Sequence, residues 1–262
     1  MSAPLDALGS LAGVRDADLS GQVDLGARSK VSIQFVLYDL LRHEQAIAVG
    51  AQRAAESEIA RILDLAQAAY GDLVGVLIGR SDEDLDNMRD GEWSLRDVLR
   101  HAIAVELRYA AQVEYSALRG DEEPIGIPPE RLPCDRLSPP EPQYAAARVA
   151  GISQMLDLLG LARLTTDERL AAVPDTALAR PSLWGTRPMT VRMRSHQIAV
   201  HLTECAIQSE KCLAAKDASE ARRILRHISA ARGAHERWSD SAARAELDDR
   251  YRQLAATCLR RD

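Results

Sequence analysis

The feature that most constrains this chain of 262 residues is a proline-rich segment near its middle. Seven prolines fall between Asp121 and Gln143. Because proline fixes φ and lacks a backbone N–H, the segment precludes regular structure and favours extended backbone. At about 3.1 Å per residue, it is long enough to travel the length of a helix of ~25 residues that rises 1.5 Å per residue. The helices on its two sides can therefore lie parallel to each other.

On both sides of this segment, apolar residues recur at the spacing of one helix face. Ser94, followed three residues later by Asp97, resembles a capping box and marks a helix start, and Gly120 marks the end of that helix. No stretch alternates apolar and polar residues with the period of a strand, so no sheet is predicted. The sequence therefore predicts an all-α four-helix bundle with a long crossover between its second and third helices. The four predicted helices cover about residues 54–78, 94–119, 144–164 (with an extension to 173 left open) and 189–215.

Segments at both ends lie outside this bundle. Residues 1–29 carry few apolar positions and are expected to be poorly ordered or to wrap over the surface. One helix is predicted at 31–49, and two charged amphipathic helices at 219–232 and 239–259 form a C-terminal hairpin. The predicted division is an N-terminal extension (1–50), the bundle (51–215) and a C-terminal appendage (216–262).

Composition restricts both the core and any ligand. Aromatic residues make up 4% of the chain, with a single Phe, so aliphatic residues and alanine must fill the core. A pocket between the second and fourth helices would have few rings other than Trp93 and Tyr109. A small polar ligand therefore fits better than a large flat one.

Charge and hydropathy exclude several kinds of partner. A net charge of −6 argues against nucleic acid, because phosphate neutralisation needs a basic surface. No apolar run approaches the roughly 20 residues of a membrane-spanning helix. The N-terminus lacks the basic flank and apolar stretch of a secretory signal, and the four cysteines include no C-x-x-C pair. We therefore expect a cytoplasmic protein with free thiols, no membrane partner and a small-molecule substrate; a homodimer is a further option.

Three side chains on the second and fourth helices are candidate metal ligands. His201 and Cys205 are one turn apart, at the edge of the apolar face, which is the spacing of helical pairs that chelate one ion. His101 shares its face with Val98 and Val105 and should also point inward. Spacing alone leaves a second interpretation open, because a buried His is more often a core residue than a ligand, and Cys often simply packs.

Helical geometry also excludes some neighbours. His196 lies about 140° around the helix from His201, and Glu106 about 140° from His101, so neither is expected to be a ligand. Glu204 lies about 60° from His201 and is a candidate to orient or replace a ligand.

Two segments carry a family resemblance. The stretch from Glu92 to His101 is similar to a W-[ST]-x-x-[DE]-x-x-x-H opening of a second bundle helix, and the stretch from His201 to Gln208 to an H-x-x-x-H-x-x-Q on a fourth. In this order, both resemble the DinB-like superfamily of bacterial four-helix-bundle proteins, over roughly residues 50–215. The resemblance implies an up-down-down-up bundle. It also implies a divalent ion, zinc first and nickel, iron or manganese as alternatives, held by His101, His201 and Cys205.

The family pattern has His where this chain has Cys205. Two His and one Cys still form a chemically reasonable zinc site, although the thiolate would weaken the Lewis acidity of the ion. The competing interpretation is a metal-free relative that has lost its third ligand.

The resemblance further implies a function. Relatives include metal-dependent transferases that use a low-molecular-weight thiol such as bacillithiol, mycothiol or glutathione, in which the ion would hold the thiol as a nucleophilic thiolate. Glu204 and Gln208 would then orient ligands or substrate, and Arg108 would meet a carboxylate of the thiol, unless it is an ordinary solvated charge. The alternatives are a metal-dependent hydrolase and a non-catalytic stress-response or interaction module.

Overall fold

The computed structural model describes residues 6–24, 30–50, 57–87, 93–132, 146–184, 186–213, 219–237 and 239–259. Over these ranges the chain is mostly helical, which confirms the all-α class. No helix in them combines the length and the apolar character that a membrane crossing requires. The longer helices are α1 (Ile33–Gly50), α2 (Glu58–Leu77), α3 (Leu95–Leu118), α4 (Ile152–Leu170), α5 (Val191–Leu213), α6 (Glu220–Gly233) and α7 (Ser241–Leu259).

Two helices begin later than their sequence pattern predicts, because distant carboxylates cap them. Asp175 accepts hydrogen bonds from the backbone N–H groups of Glu58 and Ile59, at 2.8 and 3.1 Å, and so caps α2. Asp82 accepts from the N–H of Ile152 at 2.7 Å and caps α4. Helix N-termini present N–H groups without intrahelical partners, and acceptors from elsewhere in the chain fix where each helix starts. The predicted start of α4 at residue 144 and the segment 133–145 of the proline-rich crossover lie outside the described residues.

The expectation of no sheet is wrong, because two short antiparallel ribbons are present. They pair β1 (Gln22–Asp24) with β2 (Lys30–Ser32), and β3 (Pro181–Trp184) with β4 (Arg187–Thr190). Strands of three or four residues are too short to produce a recognisable period-two pattern. The second ribbon runs directly into α5, whose predicted start just after Pro188 therefore moves to Val191.

The described part of the N-terminal segment is better packed than its composition suggested. Residues 6–24 form a turn of α-helix (Asp6–Gly9), two short 3-10 helices and β1. Leu8, Leu11 and Leu19 are buried, and the first turns contact α7. The expectation of poor order is therefore wrong for these residues.

The chain divides into two compact units. The first comprises Met1–Gln52, Gln67–Arg80 and Leu213–Asp262, and the second comprises Arg53–Ala66 and Ser81–Cys212. The terminal segments thus belong to one unit. The three-part division expected from the sequence stays a prediction about domains.

A buried carboxylate organises the first unit. Glu44 of α1, with 0% exposure, accepts hydrogen bonds from Arg232 at 3.2 Å and from the Tyr251 hydroxyl, and contacts Nε2 of His235. These three partners come from α6, the turn after it and α7. One carboxylate therefore ties α1 to both C-terminal helices.

Glycines let α2 and α6 approach closely within the same unit. A Cβ on Gly71 would lie 2.6 Å from the carbonyl oxygen of Ser229, and one on Gly233 would lie 2.6 Å from that of Gln67. Alanine is otherwise the better helix former, so close backbone contact explains these glycines inside helices.

In the second unit, α3 packs against α4 through a buried ion pair. Arg163 of α4 donates to Glu106 of α3 and to Asp167 on its own helix. Arg163 is 1% exposed and Glu106 is 2% exposed. At the far end of α3, Arg180 donates to the carbonyl oxygens of Ala117 and Arg119, at 2.9 and 2.7 Å. The position of α3 is therefore fixed along its length.

Replacing Arg163 by methionine is expected to destabilise the protein by about 3–5 kcal/mol, because Glu106 is then buried without a cation. Arg169 provides the matched control on the same helix, since its pair with Glu114 is 3.9 Å long with both side chains 38% exposed. Arg169→Met should cost less than about 1 kcal/mol. Denaturant unfolding of both variants measures the difference, and similar losses would contradict the structural role given to Arg163.

Candidate metal-binding site

The start of α3 positions the first candidate ligand. The Ser94 hydroxyl accepts a hydrogen bond from the N–H of Asp97 at 3.1 Å, which confirms the predicted cap. Such a cap satisfies a helix N–H that has no intrahelical partner and fixes the first turn. His101 lies two turns along the helix from this cap, on the face that meets α5.

His101 and His201, two of the three candidate ligands, meet in the second unit. Their Nε2 atoms are 3.0 Å apart, and their ring centres are separated by 4.8 Å at an interplanar angle of 64°. Two imidazole nitrogens on one tetrahedral zinc, each about 2.0–2.1 Å from it, would be about 3.3–3.4 Å apart. The observed separation is close to that value.

Both imidazoles are neutral at neutral pH. Burial lowers the pKa of His201 to about 4, and the neighbouring His101 adds to this effect. Burial also lowers the pKa of His101; Glu204 opposes this shift and Arg108 reinforces it. Without an ion, one Nε2–H donates to the other Nε2. Neutral imidazole is also the form that binds metals, with the ring proton on Nδ1.

Cys205 lies beside this pair but is not aligned with it. Its Sγ is 3.9 Å from both ring nitrogens of His201. Because the two distances are equal, the sulfur lies at the Cε1 edge or over the face of the ring, and it is not in line with the lone pair of either nitrogen. Burial raises the pKa of the thiol to about 12, and the carboxylates of Glu204 and Glu106 add to the shift. Cys205 is therefore a neutral thiol.

Within the described ranges, no three His, Cys, Asp or Glu side chains form a group that could hold a metal ion. The structure thus brings two predicted donors into direct contact and leaves the third next to them.

The other predicted residues differ in their proximity to the pair. Glu204 is exposed but close enough to influence His101, and Arg108 is half-buried and also acts on His101 electrostatically. Gln208 is exposed on α5. Glu106, which helical geometry excluded as a ligand, forms an ion pair with Arg163.

Two rings flank the imidazoles. The Trp93 ring meets His101 edge to face at 5.1 Å between centres, and Tyr109 lies 5.7 Å from His201. These are the two rings that the sequence placed beside a pocket. Trp93 is half exposed, at 51%, and Tyr109 is buried. The imidazole pair therefore has a solvent-exposed side at Trp93 and a buried side at Tyr109.

Sequence reasoning missed Arg194. This residue precedes His201 by seven positions, two helical turns, and its guanidinium carbon lies 4.0 Å from the centre of the Tyr109 ring. The interval of seven was a usable signal, because it places both residues on the same face of α5.

Comparison with known families gives a match to part of the chain. The family model of the DinB superfamily matches residues 63–204, more than half of the chain. The matched segment contains His101 and His201 and ends one residue before Cys205. Comparison with curated proteins and with solved structures gave no match. The matched segment spans α3, α4 and α5 as far as Glu204, and the chain therefore belongs to the DinB superfamily.

Proposed function

We propose that this protein binds a divalent metal ion, zinc in the first instance, through His101 and His201. The observation that carries the proposal is the 3.0 Å separation of two neutral imidazole Nε2 atoms from different helices. Imidazole nitrogen suits zinc, nickel and iron, and a pair fixed by two helices requires little rearrangement to bind one ion. Cys205 is the proposed third ligand, since its thiol lies beside the His201 ring.

The two imidazoles and the Cys205 thiol are suitable zinc ligands, provided that the thiol loses its proton. The imidazoles need lose no proton, because burial already keeps both neutral. The Cys205 thiol must lose its proton, because a thiolate is the form that binds zinc. The site therefore takes up an ion with the release of a proton.

We propose further that the reaction is the transfer of a low-molecular-weight thiol to an electrophilic small molecule. A bound ion would supply the lowering of the thiol pKa that makes a thiolate nucleophile at neutral pH. Of the chain's own residues, His101 and His201 would hold the ion, and the Tyr109 ring would cover the buried side of the site. Glu204 is close enough to His101 to orient a ligand on the exposed side.

A metal-free binding module is the second candidate. One observation favours it: the contact between His101 and His201 is a complete hydrogen bond, and the Cys205 thiol is neutral, so these groups are stable without an ion. A metal-dependent hydrolase is less well supported, because a thiolate ligand weakens the activation of a bound water.

Zinc binding separates these candidates. Protein purified without chelator or affinity metal should contain, or take up, close to one equivalent of divalent ion. His101→Ala and His201→Ala should each lower zinc affinity by at least about 100-fold, since even the loss of a group that only orients a ligand costs about 10–100-fold. His196→Ala is the control, because His196 is exposed on the same helix as His201. Competition with a chromophoric chelator measures the affinities, and a wild-type protein that cannot be loaded would refute metal binding.

Proton release tests Cys205. At pH 7, binding of one zinc ion should release about one proton, because the Cys205 thiol has a pKa raised to about 12 and must ionise to bind. The His201 imidazole contributes almost none, since its pKa is lowered to about 4. Cys205→Ser should bind zinc with almost no proton release. Calorimetry in buffers of different ionisation enthalpy counts the protons, and equal release by both proteins would exclude Cys205 as a ligand.

Thiol binding tests the reaction class. The zinc-loaded protein should melt several degrees higher with bacillithiol, mycothiol or glutathione at about 100 times Kd, where binding stabilises the fold by about 2.7 kcal/mol. His101→Ala should lose this shift. If none of the three thiols raises the melting temperature of zinc-loaded wild type, the transferase is excluded and the hydrolase remains.

A further inference from the structure

Arg194 differs from the other deeply buried arginines of the described chain. Arg163, Arg194 and Arg232 are 1%, 1% and 4% exposed. Arg163 is paired with Glu106, and Arg232 with Glu44. No carboxylate in the described ranges forms an ion pair with Arg194. Among the residues that the structure describes, this permanent positive charge is therefore buried without an anion.

The contacts of Arg194 leave much of its hydrogen-bonding capacity unused. Its Nη1 donates to Oε1 of Gln197 at 2.5 Å, and its guanidinium lies over the Tyr109 ring. Its Nε is buried and finds no acceptor among the described residues. Burial lowers the pKa of Arg194, a side-chain hydrogen bond with Tyr109 opposes this shift, and Arg108, a second cation, adds to it, which makes the absence of an anion more unfavourable.

Physical chemistry makes this arrangement costly in the ligand-free protein. A buried charge is tolerated when it is both paired and hydrogen-bonded, and a ring face replaces only part of the lost hydration. The planar guanidinium fork matches the two oxygens of a carboxylate, so one carboxylate would satisfy Nε and a terminal nitrogen together. The missing partner therefore has the chemistry of a carboxylate.

The position of Arg194 connects this requirement with the imidazole pair. The Tyr109 ring contacts Arg194 on one side and lies 5.7 Å from the His201 ring on the other. We propose that Arg194 is the carboxylate-binding residue of a subsite beside His101 and His201, and that the ligand is a small molecule that carries a carboxylate. The inference rests on the proposed function in one respect, which is that the reactive group of the ligand lies at the metal ion. The ion pair between Arg194 and the ligand's carboxylate needs no metal ion.

The side chain of Gln197 occupies the position beside Arg194 that a ligand carboxylate would take. Its side chain is half-buried, and its amide oxygen occupies one donor of Arg194. A neutral amide is a weaker acceptor for a cation than a carboxylate. A ligand carboxylate that displaces the Gln197 amide would therefore gain the charge-assisted contact and satisfy the open Nε.

The test compares acids with their amides. Zinc-loaded wild type should bind 3-mercaptopropionate at least about 10-fold more tightly than 3-mercaptopropionamide, as expected for a hydrogen bond to a charged group. Arg194→Met should abolish this preference. Arg192→Met is the matched control, because Arg192 is a more exposed arginine paired with Glu58, and it should keep the preference. Calorimetric titration measures the ratio, and an Arg194→Met protein that retains the preference would overturn the inference.

Thiol-free probes show whether the carboxylate is recognised by itself and separate the two proposals. If propionate also binds more tightly than propionamide, Arg194 recognises a carboxylate without a thiol on the same molecule; if only the thiol acid shows a preference, the carboxylate binds only when the thiol anchors it. The same propionate titration with metal-free protein is independent of zinc. An Arg194-dependent preference there, in a protein that never binds zinc, supports the subsite while the metal proposal fails.

Folding of the variants provides a second readout. Because Arg194→Met removes an unpaired buried charge, its melting temperature without carboxylates should equal or exceed that of wild type, whereas Arg163→Met should melt well below it. A large loss of stability in Arg194→Met would show that the charge has a partner within the protein and would overturn the inference. Arg194→Lys keeps the charge without the fork, should show a reduced preference for the acid, and decides the question if the methionine variant does not fold.

Discussion

The ion pair between Glu106 and Arg163 is the constraint on which the second unit depends. Both groups are almost inaccessible to water, so each requires the other, and any shift of α4 along α3 would separate them. Since Glu106 lies five positions after His101, it points about 140° away from it around the same helix. One face of α3 is therefore held against α4 while another face presents His101 and Tyr109 to α5.

The site that results is buried on the Tyr109 side, is neutral at the imidazoles and has two cations, Arg108 and Arg194, in its surroundings. Burial is the main cause that lowers the pKa of both His residues; His101 adds to the shift of His201, and Arg108 adds to that of His101. Arg194 adds a second positive charge behind the Tyr109 ring. Such a site favours ligands that bring negative charge, whether a thiolate, a carboxylate or both. A carboxylate-bearing thiol would satisfy both requirements in one molecule.

The candidate site was only partly predictable. Helical geometry alone placed His101 and His201 inward and excluded His196 and Glu106, and the two motifs on α3 and α5 supported the pair. The same geometry put Cys205 one turn from His201 but gave no orientation for its sulfur. Arg194 was missed because a lone arginine on a helix is usually exposed; its interval of seven from His201 places it on the same face, but its burial without a carboxylate among the described residues is visible only in the structure.

The sequence by itself determined the helical class, the cap at Ser94, the proline-rich separation of α3 from α4 and the residues that face inward. Those features depend on neighbours within about four positions, or on the fixed backbone of proline, and can be read locally. The tertiary structure alone decided the caps from Asp175 and Asp82, the 3.0 Å meeting of the imidazoles and the burial of Arg194. These depend on segments far apart in the chain, because distances between helices and loss of hydration are set by packing and not by periodicity.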